Sequence, residues 1–230
     1  MARSPRRITR RDIRKPDQFV AVTGEIFHFV KQKRKPFIGA AAAVVLALVG
    51  LWGWDAYAQR QNHLAAKDYV QGVNLYHAGK YADAVQRFDK AKEYTLSSYS
   101  APALLYQANS YLALGDPAKA AASLAELLQQ ERKQSLLRQL GLLSLAYLHE
   151  TAGNCKEAGP SFAEAEKIVA PFTDEAILGK ARCGMETQDL KGALESYRQY
   201  LTSYPAGDRV GEVTIRVQEL EAKVAASGGK

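Results

Sequence analysis

The chain has 230 residues, 47% hydrophobic and 24% charged, a globular composition that excludes a wholly disordered protein and allows one or two domains. Its net charge of +7 is confined to one end: residues 1–36 carry 11 Lys and Arg against three acids (Asp12, Asp17, Glu25), residues 37–58 carry only Asp55, and residues 59–230 carry 20 of each sign. A nucleic-acid-binding domain needs a basic face on its folded body, so this distribution argues against nucleic acid as a partner and for a charge that orients the chain at a membrane.

Residues 1–15 are basic and poor in apolar side chains, and are expected to be disordered. After Pro16-Asp17, Phe19, Val22, Ile26 and Phe29 recur at helical spacing, and Lys31–Lys35 close the stretch. This predicts a short amphipathic helix, lying on an anionic inner leaflet or docking on a partner. Together, residues 1–36 read as a basic cytoplasmic tail.

Phe37–Trp54 follows, 18 residues without a charged or strongly polar side chain. As a helix it would be about 27 Å long, close to a hydrocarbon core of about 30 Å. Lys31, Lys33, Arg34 and Lys35 precede it, and Trp52, Trp54 and Tyr57 lie at its far end, where amphipathic rings settle at a lipid–water boundary. The expectation is a single transmembrane helix anchored by Phe37, Trp52 and Trp54, with the N-terminus in the cytoplasm and the rest exported. A buried globular helix is one alternative. The other is a cleaved signal, since Ala56-Tyr57-Ala58 supplies an A-x-A site; against it, the apolar run exceeds the usual length and 36 residues precede it. No Pro or Gly occurs between Trp54 and Tyr69, which predicts one helix from near Phe37 to near His77.

Residues 55–206 contain an internal repeat. Gly72, Leu75, Gly79, Tyr81, Ala84, Phe88 and Ala91 make the first copy, Ala108, Tyr111, Gly115, Ala120 and Leu124 the second, and Ala146, Gly153, Ala158, Phe162 and Ala165 the third. Ala181, Ala193 and Tyr197 make a fourth, ending at Tyr204-Pro205. The anchors Ala84, Ala120, Ala158 and Ala193 lie 36, 38 and 35 residues apart. Two antiparallel helices that cross closely need small residues at the crossing, large ones one turn on, and a turn residue tolerant of positive φ. One such hairpin cannot bury its apolar face alone, whereas a stack can.

These residues resemble tetratricopeptide repeats. The resemblance implies an all-α fold: a transmembrane helix followed by an α-solenoid of about four helical hairpins. It departs from the family at Asp68, Leu104, Leu142 and Ile177, which replace a large aromatic early in each first helix, and in its periods, which exceed the usual repeat. Residues 207–230 add a capping helix, with Val210, Val213, Val217, Leu220 and Val224 on one face, and a frayed terminus.

In such solenoids the first helices line the inner curve. By alignment, a groove for a partner protein or peptide segment would comprise Tyr69, Val73, Tyr76, His77, Leu105, Asn109, Leu143, Tyr147, Leu178 and Arg182, some of which could equally be buried between helices. Only Asn109 and Arg182 occupy positions where the family's carboxylate-clamping residues can occur, and the accompanying lysines are absent. Cys155, in the second helix of hairpin three, and Cys183, in the first helix of hairpin four, fall on neighbouring helices; outside the cytoplasm they are expected to form a disulfide, two buried thiols being the alternative.

No nucleophile elbow, phosphate-binding Gly-rich loop or HExxH motif is present, and the four histidines are scattered, so neither catalysis nor a metal or other cofactor is expected. The architecture as a whole resembles the single-span ancillary subunits of the bacterial Sec translocon, which implies an inner-membrane scaffold whose periplasmic repeats meet exported chains or chaperones. Two alternatives remain: a scaffold for envelope assembly, and a soluble periplasmic protein released by cleavage after Ala58.

Overall fold

The computed structural model describes residues 34–131 and 134–228. The basic tail and the Phe19–Phe29 stripe lie outside them. Among the described residues there are nine helices and no strand. The chain divides into two compact units, with the boundary at Tyr57/Ala58.

Helix α1 spans Arg34–His77 and crosses that boundary as one helical element. Arg34 is the first described residue, and the helix already runs there, through the expected start at Phe37. In the described part of the first unit its apolar side chains are exposed: Trp52 is 74% exposed, and the most apolar window of the helix is 0% buried at a mean hydropathy of 1.7. Of the described helices, this one alone is long and apolar enough to cross a membrane.

In the second unit the end of α1 pairs with α2 (Tyr81–Glu93). Three more hairpins follow: α3 (Ser100–Ala113) with α4 (Pro117–Gln130), α5 (Leu136–Thr151) with α6 (Cys155–Glu166), and α7 (Thr173–Glu186) with α8 (Leu190–Ser203). Helix α9 (Val210–Gly228) closes the stack. The anchor alanines Ala84, Ala120, Ala158 and Ala193 are all 0% exposed. Closeness at the crossings is demanded by the large partners: a Cβ on Gly72 would come within 2.6 Å of Phe88 Cε1, and one on Gly179 would overlap the Phe162 ring. At the positions that depart from the family, Leu104, Leu142 and Ile177 fill the core, while Asp68 pairs with Arg87 at 3.1 Å.

The hairpin turns repeat one hydrogen-bond pattern. Gly79, Gly115 and Gly153 have φ of 73°, 75° and 75°, and the following amides of Lys80, Asp116 and Asn154 donate to carbonyls five residues back, at Leu75, Tyr111 and His149. The fourth turn has no glycine. Gln188 takes φ of 64° instead, which explains why the fourth copy is faint in the sequence. Asp116 and Asp189 cap the helices that follow their turns, accepting from the amides of Lys119 and Gly192. On α9, Val213, Val217 and Leu220 are buried against α8 and α7, as a terminal cap requires.

Candidate functional site

The surface to be tested is the face formed by the first helices, where α3 touches α5 and α5 touches α7. The structure sorts the expected groove residues into three groups. The first is packing. Tyr69 stacks among Phe88, Tyr99 and Tyr106 with ring centroids 6.2, 5.3 and 5.9 Å away, and Tyr76 meets Tyr81 and Tyr106 at 5.4 Å each. Val73 joins this half-buried cluster, and burial beside Tyr106 and Tyr99 raises the Tyr69 pKa. Leu105 packs on Ala108, Ala120 and Leu124. Leu143 and Leu178, 5% and 3% exposed, are core residues, which corrects their placement in the groove. Leu143 packs in the apolar cluster of the third hairpin and the start of α7, and Leu178 in that of the fourth hairpin and α9, so each supports the surface without presenting a side chain to a partner.

The second group is open. His77 is exposed at the end of α1, edge-on to Tyr76. Asn109 and Tyr147 come together across α3 and α5, lining a hollow of about 290 Å³ with Leu112, Ser144, Leu148 and Thr151. Its walls combine aliphatic side chains with amide, hydroxyl and phenol groups, a composition suited to a side chain of a bound polypeptide.

The third group is an ion-pair network. Arg182 donates from Nε and Nη2 to both carboxylate oxygens of Glu150, at 2.7 and 2.9 Å, and lies 5.8 Å from the Tyr147 ring centroid. The Tyr147 hydroxyl donates to Glu175 at 2.8 Å, and Glu175 accepts from Arg209 at 2.6 Å. Burial, and then the hydrogen bond to Glu175, push the Tyr147 pKa up to about 12, while the Glu150 hydrogen bond raises that of Arg182 further above its ordinary value. The Arg182 guanidinium is thus engaged by an internal carboxylate, in the bidentate geometry an incoming terminal carboxylate would need.

Glu150, Glu175 and Arg209 were not among the expected residues. The available signal was spacing: Arg182 follows Glu150 by 32 residues and Arg209 follows Glu175 by 34, so each pair of opposite charges is separated by about one repeat.

Cys155 and Cys183 lie at disulfide distance with Cα atoms 4.9 Å apart, joining the start of α6 to α7. Trp52 and Trp54 are exposed on α1, and Phe37 lies in the same helix. Among the described residues no group of His, Cys, Asp and Glu could hold a metal ion.

A family model described as a tetratricopeptide repeat-like domain matches residues 28–176, more than half of the chain. The chain belongs to the tetratricopeptide repeat-like family. Folds of this family generally serve as non-catalytic scaffolds for protein–protein interaction. The match takes in the apolar segment and the first three hairpins, and it stops near the start of the fourth, whose turn has Gln188 in place of glycine. No protein of curated function matches the chain. Among solved structures, nearly identical TPR-like repeats from Podosopora anserina share 15% identity at a TM-score of 0.54, covering 72% of this chain and 94% of that one. MamA shares 14% at 0.54, covering 71% and 94%. Pseudomonas aeruginosa pilF shares 20% at 0.50, covering 69% and 66%. At these identities the likeness is one of fold.

Proposed function

We propose that this repeat protein is a single-span scaffold of the bacterial inner membrane, with its basic N-terminus in the cytoplasm and its repeats in the periplasm, where they assist protein export or hand exported chains to chaperones. The observation that carries the reading is the exposed apolar surface of α1 before Tyr57, followed without a break in the helix by the first repeat. In water, each CH₂ left exposed on such a surface costs about 0.8 kcal/mol relative to burial, and lipid removes that cost. The four cations just before the span favour a cytoplasmic N-terminus. The cysteine pair suits an oxidising compartment. Helix continuity through Ala56–Ala58 favours retention of the anchor over cleavage. The domain limits follow: tail 1–36, span 37–54, repeats 55–206, and cap 207–230.

On this reading the hollow lined by Asn109 and Tyr147 is the contact point for polypeptide. The test is a photo-crosslinking amino acid placed at Asn109 or Ser144 in cells. Capture of translocon subunits, exported chains or periplasmic chaperones supports export. Capture of outer-membrane or surface-polymer assembly proteins would replace it with an envelope-assembly role. A reporter fused after Lys230 that is active only in the cytosol would overturn the topology.

A further inference from the structure

The three loops that join one hairpin to the next, and the fourth that joins the last hairpin to α9, lie along one edge of the solenoid, and the chain enters the second unit at that same edge. The hydrogen bonds trace it. Asn62 Oδ1, just inside the second unit, accepts from Ser97 Oγ at 3.0 Å and from the Ser98 amide at 3.2 Å, in the first loop. Ser100, where that loop ends, donates to Gln130 at 3.0 Å, at the start of the second. Gln139 Nε2, just after the second loop, donates to the Ile168 carbonyl, and its Oε1 accepts from the Phe172 amide, both at 3.2 Å, in the third. Arg209, in the fourth, reaches Glu175 just after the third.

This edge carries exposed apolar side chains in its first three loops: Leu96, Leu136, Phe172 and Val169, the last 98% exposed. Single exposed apolar residues are ordinary, but these share one edge. The opposite edge, made of the turns at Gly79, Gly115, Gly153 and Gln188, has exposed large apolar side chains at one turn, Leu114 and Leu112 just before it.

Chain length decides what can lie against this edge. Trp54, at the end of the apolar run, precedes Asn62 by eight residues. Eight residues reach at most about 29 Å fully extended and about 12 Å as helix. We propose that the loop edge rests on the outer surface of the bilayer, with Leu96, Leu136, Val169 and Phe172 in the boundary between headgroups and acyl chains. The occupant is lipid, because a span ending at Trp54 keeps that edge within reach of the membrane at all times. Insertion by roughly 5–10 Å suits short loops bearing one or two apolar side chains. The exposed Lys167 beside Val169 adds attraction to anionic headgroups. Docking would hold the first-helix face upright, its hollow open to the side. The proposal rests on the membrane-anchor reading above.

The test uses the full chain in phosphatidylcholine–phosphatidylglycerol vesicles, with an environment-sensitive fluorescent amino acid at position 169 and doxyl-labelled lipids as quenchers. Labels at 114, on the opposite edge, and at 46, within the apolar run, serve as references. Docking predicts quenching at 169 at least about twofold greater than at 114, with 46 quenched most. Quenching at 46 with 169 no different from 114 overturns docking and leaves the anchor standing. An unquenched 46 overturns the anchor and docking with it. Shielding at 169 that rises with protein density and ignores the lipid quencher assigns the edge to a protein neighbour and also overturns the proposal. Val169→Asp, at a 98% exposed position, is expected to leave the circular dichroism spectrum unchanged and to increase protease cleavage within 167–172 only when vesicles are present.

Discussion

Replacing both Cys155 and Cys183 with Ala tests how the last two hairpins are held together. A bond between them spans 28 residues, and the chain-entropy model then gives about 3.5 kcal/mol of stabilisation at 25 °C. The bond ties α6 to α7 and crosses between hairpins, so its loss loosens an interface rather than one helix pair. In a stack where each repeat touches only its neighbours, the effect stays local. The expected result, in detergent-solubilised full chain, is faster hydrogen exchange over 155–186, unchanged exchange over 81–113, and a midpoint lowered by about 14–28 °C for the transition of the C-terminal hairpins. Thiol titration of the parent, denatured without reductant, should find no free thiol. Two reactive thiols in that assay, or a double variant within about 1 kcal/mol of the parent, would refute the reasoning.

Gln188→Gly removes a side chain from a left-handed position and should stabilise the fourth hairpin by about 0.5–1 kcal/mol in urea denaturation; a loss of stability would mean that the side chain matters more than the backbone. Gly179→Ala gains helix propensity but drives a Cβ into the Phe162 ring, and a net loss of about 1–2 kcal/mol is expected by thermal melting; a gain would show that the ring can move aside. Tyr147 should titrate late, near pH 12 against an unfolded value of 10.0, in ultraviolet difference spectra compared with Tyr147→Phe. Since its folded pKa is the higher, its contribution is complete below pH 10 and is lost as pH rises toward 12; parent and Phe variant losing stability identically over that window would contradict this.

The hairpin fold was legible because it rests on local rules. Ala84, Ala120, Ala158 and Ala193 recur at the repeat period, and all four are fully buried. Gly79, Gly115 and Gly153 punctuate the turns for a backbone reason that operates within six residues. Gln188 escaped notice because a non-glycine residue can occupy the same conformation at a modest energetic cost, leaving no trace in composition. The groove was only partly legible. Helical periodicity gives the helix that carries a residue but only coarsely the side it faces, and a rotation of a few tens of degrees separates Leu143 in the core from Tyr147 at the hollow.

The sequence by itself determined the helices, their turns, the apolar run and the one-sided charge, because each follows from spacing along a single stretch of chain. Only the tertiary structure decided that Glu150 occupies Arg182, that Glu175 joins Tyr147 to Arg209, and that Leu96, Leu136, Val169 and Phe172 share an edge. The ion pairs and hydrogen bonds join residues roughly a repeat apart, and which side chains meet or line up across that distance is fixed by how the hairpins stack rather than by the local pattern of any one of them.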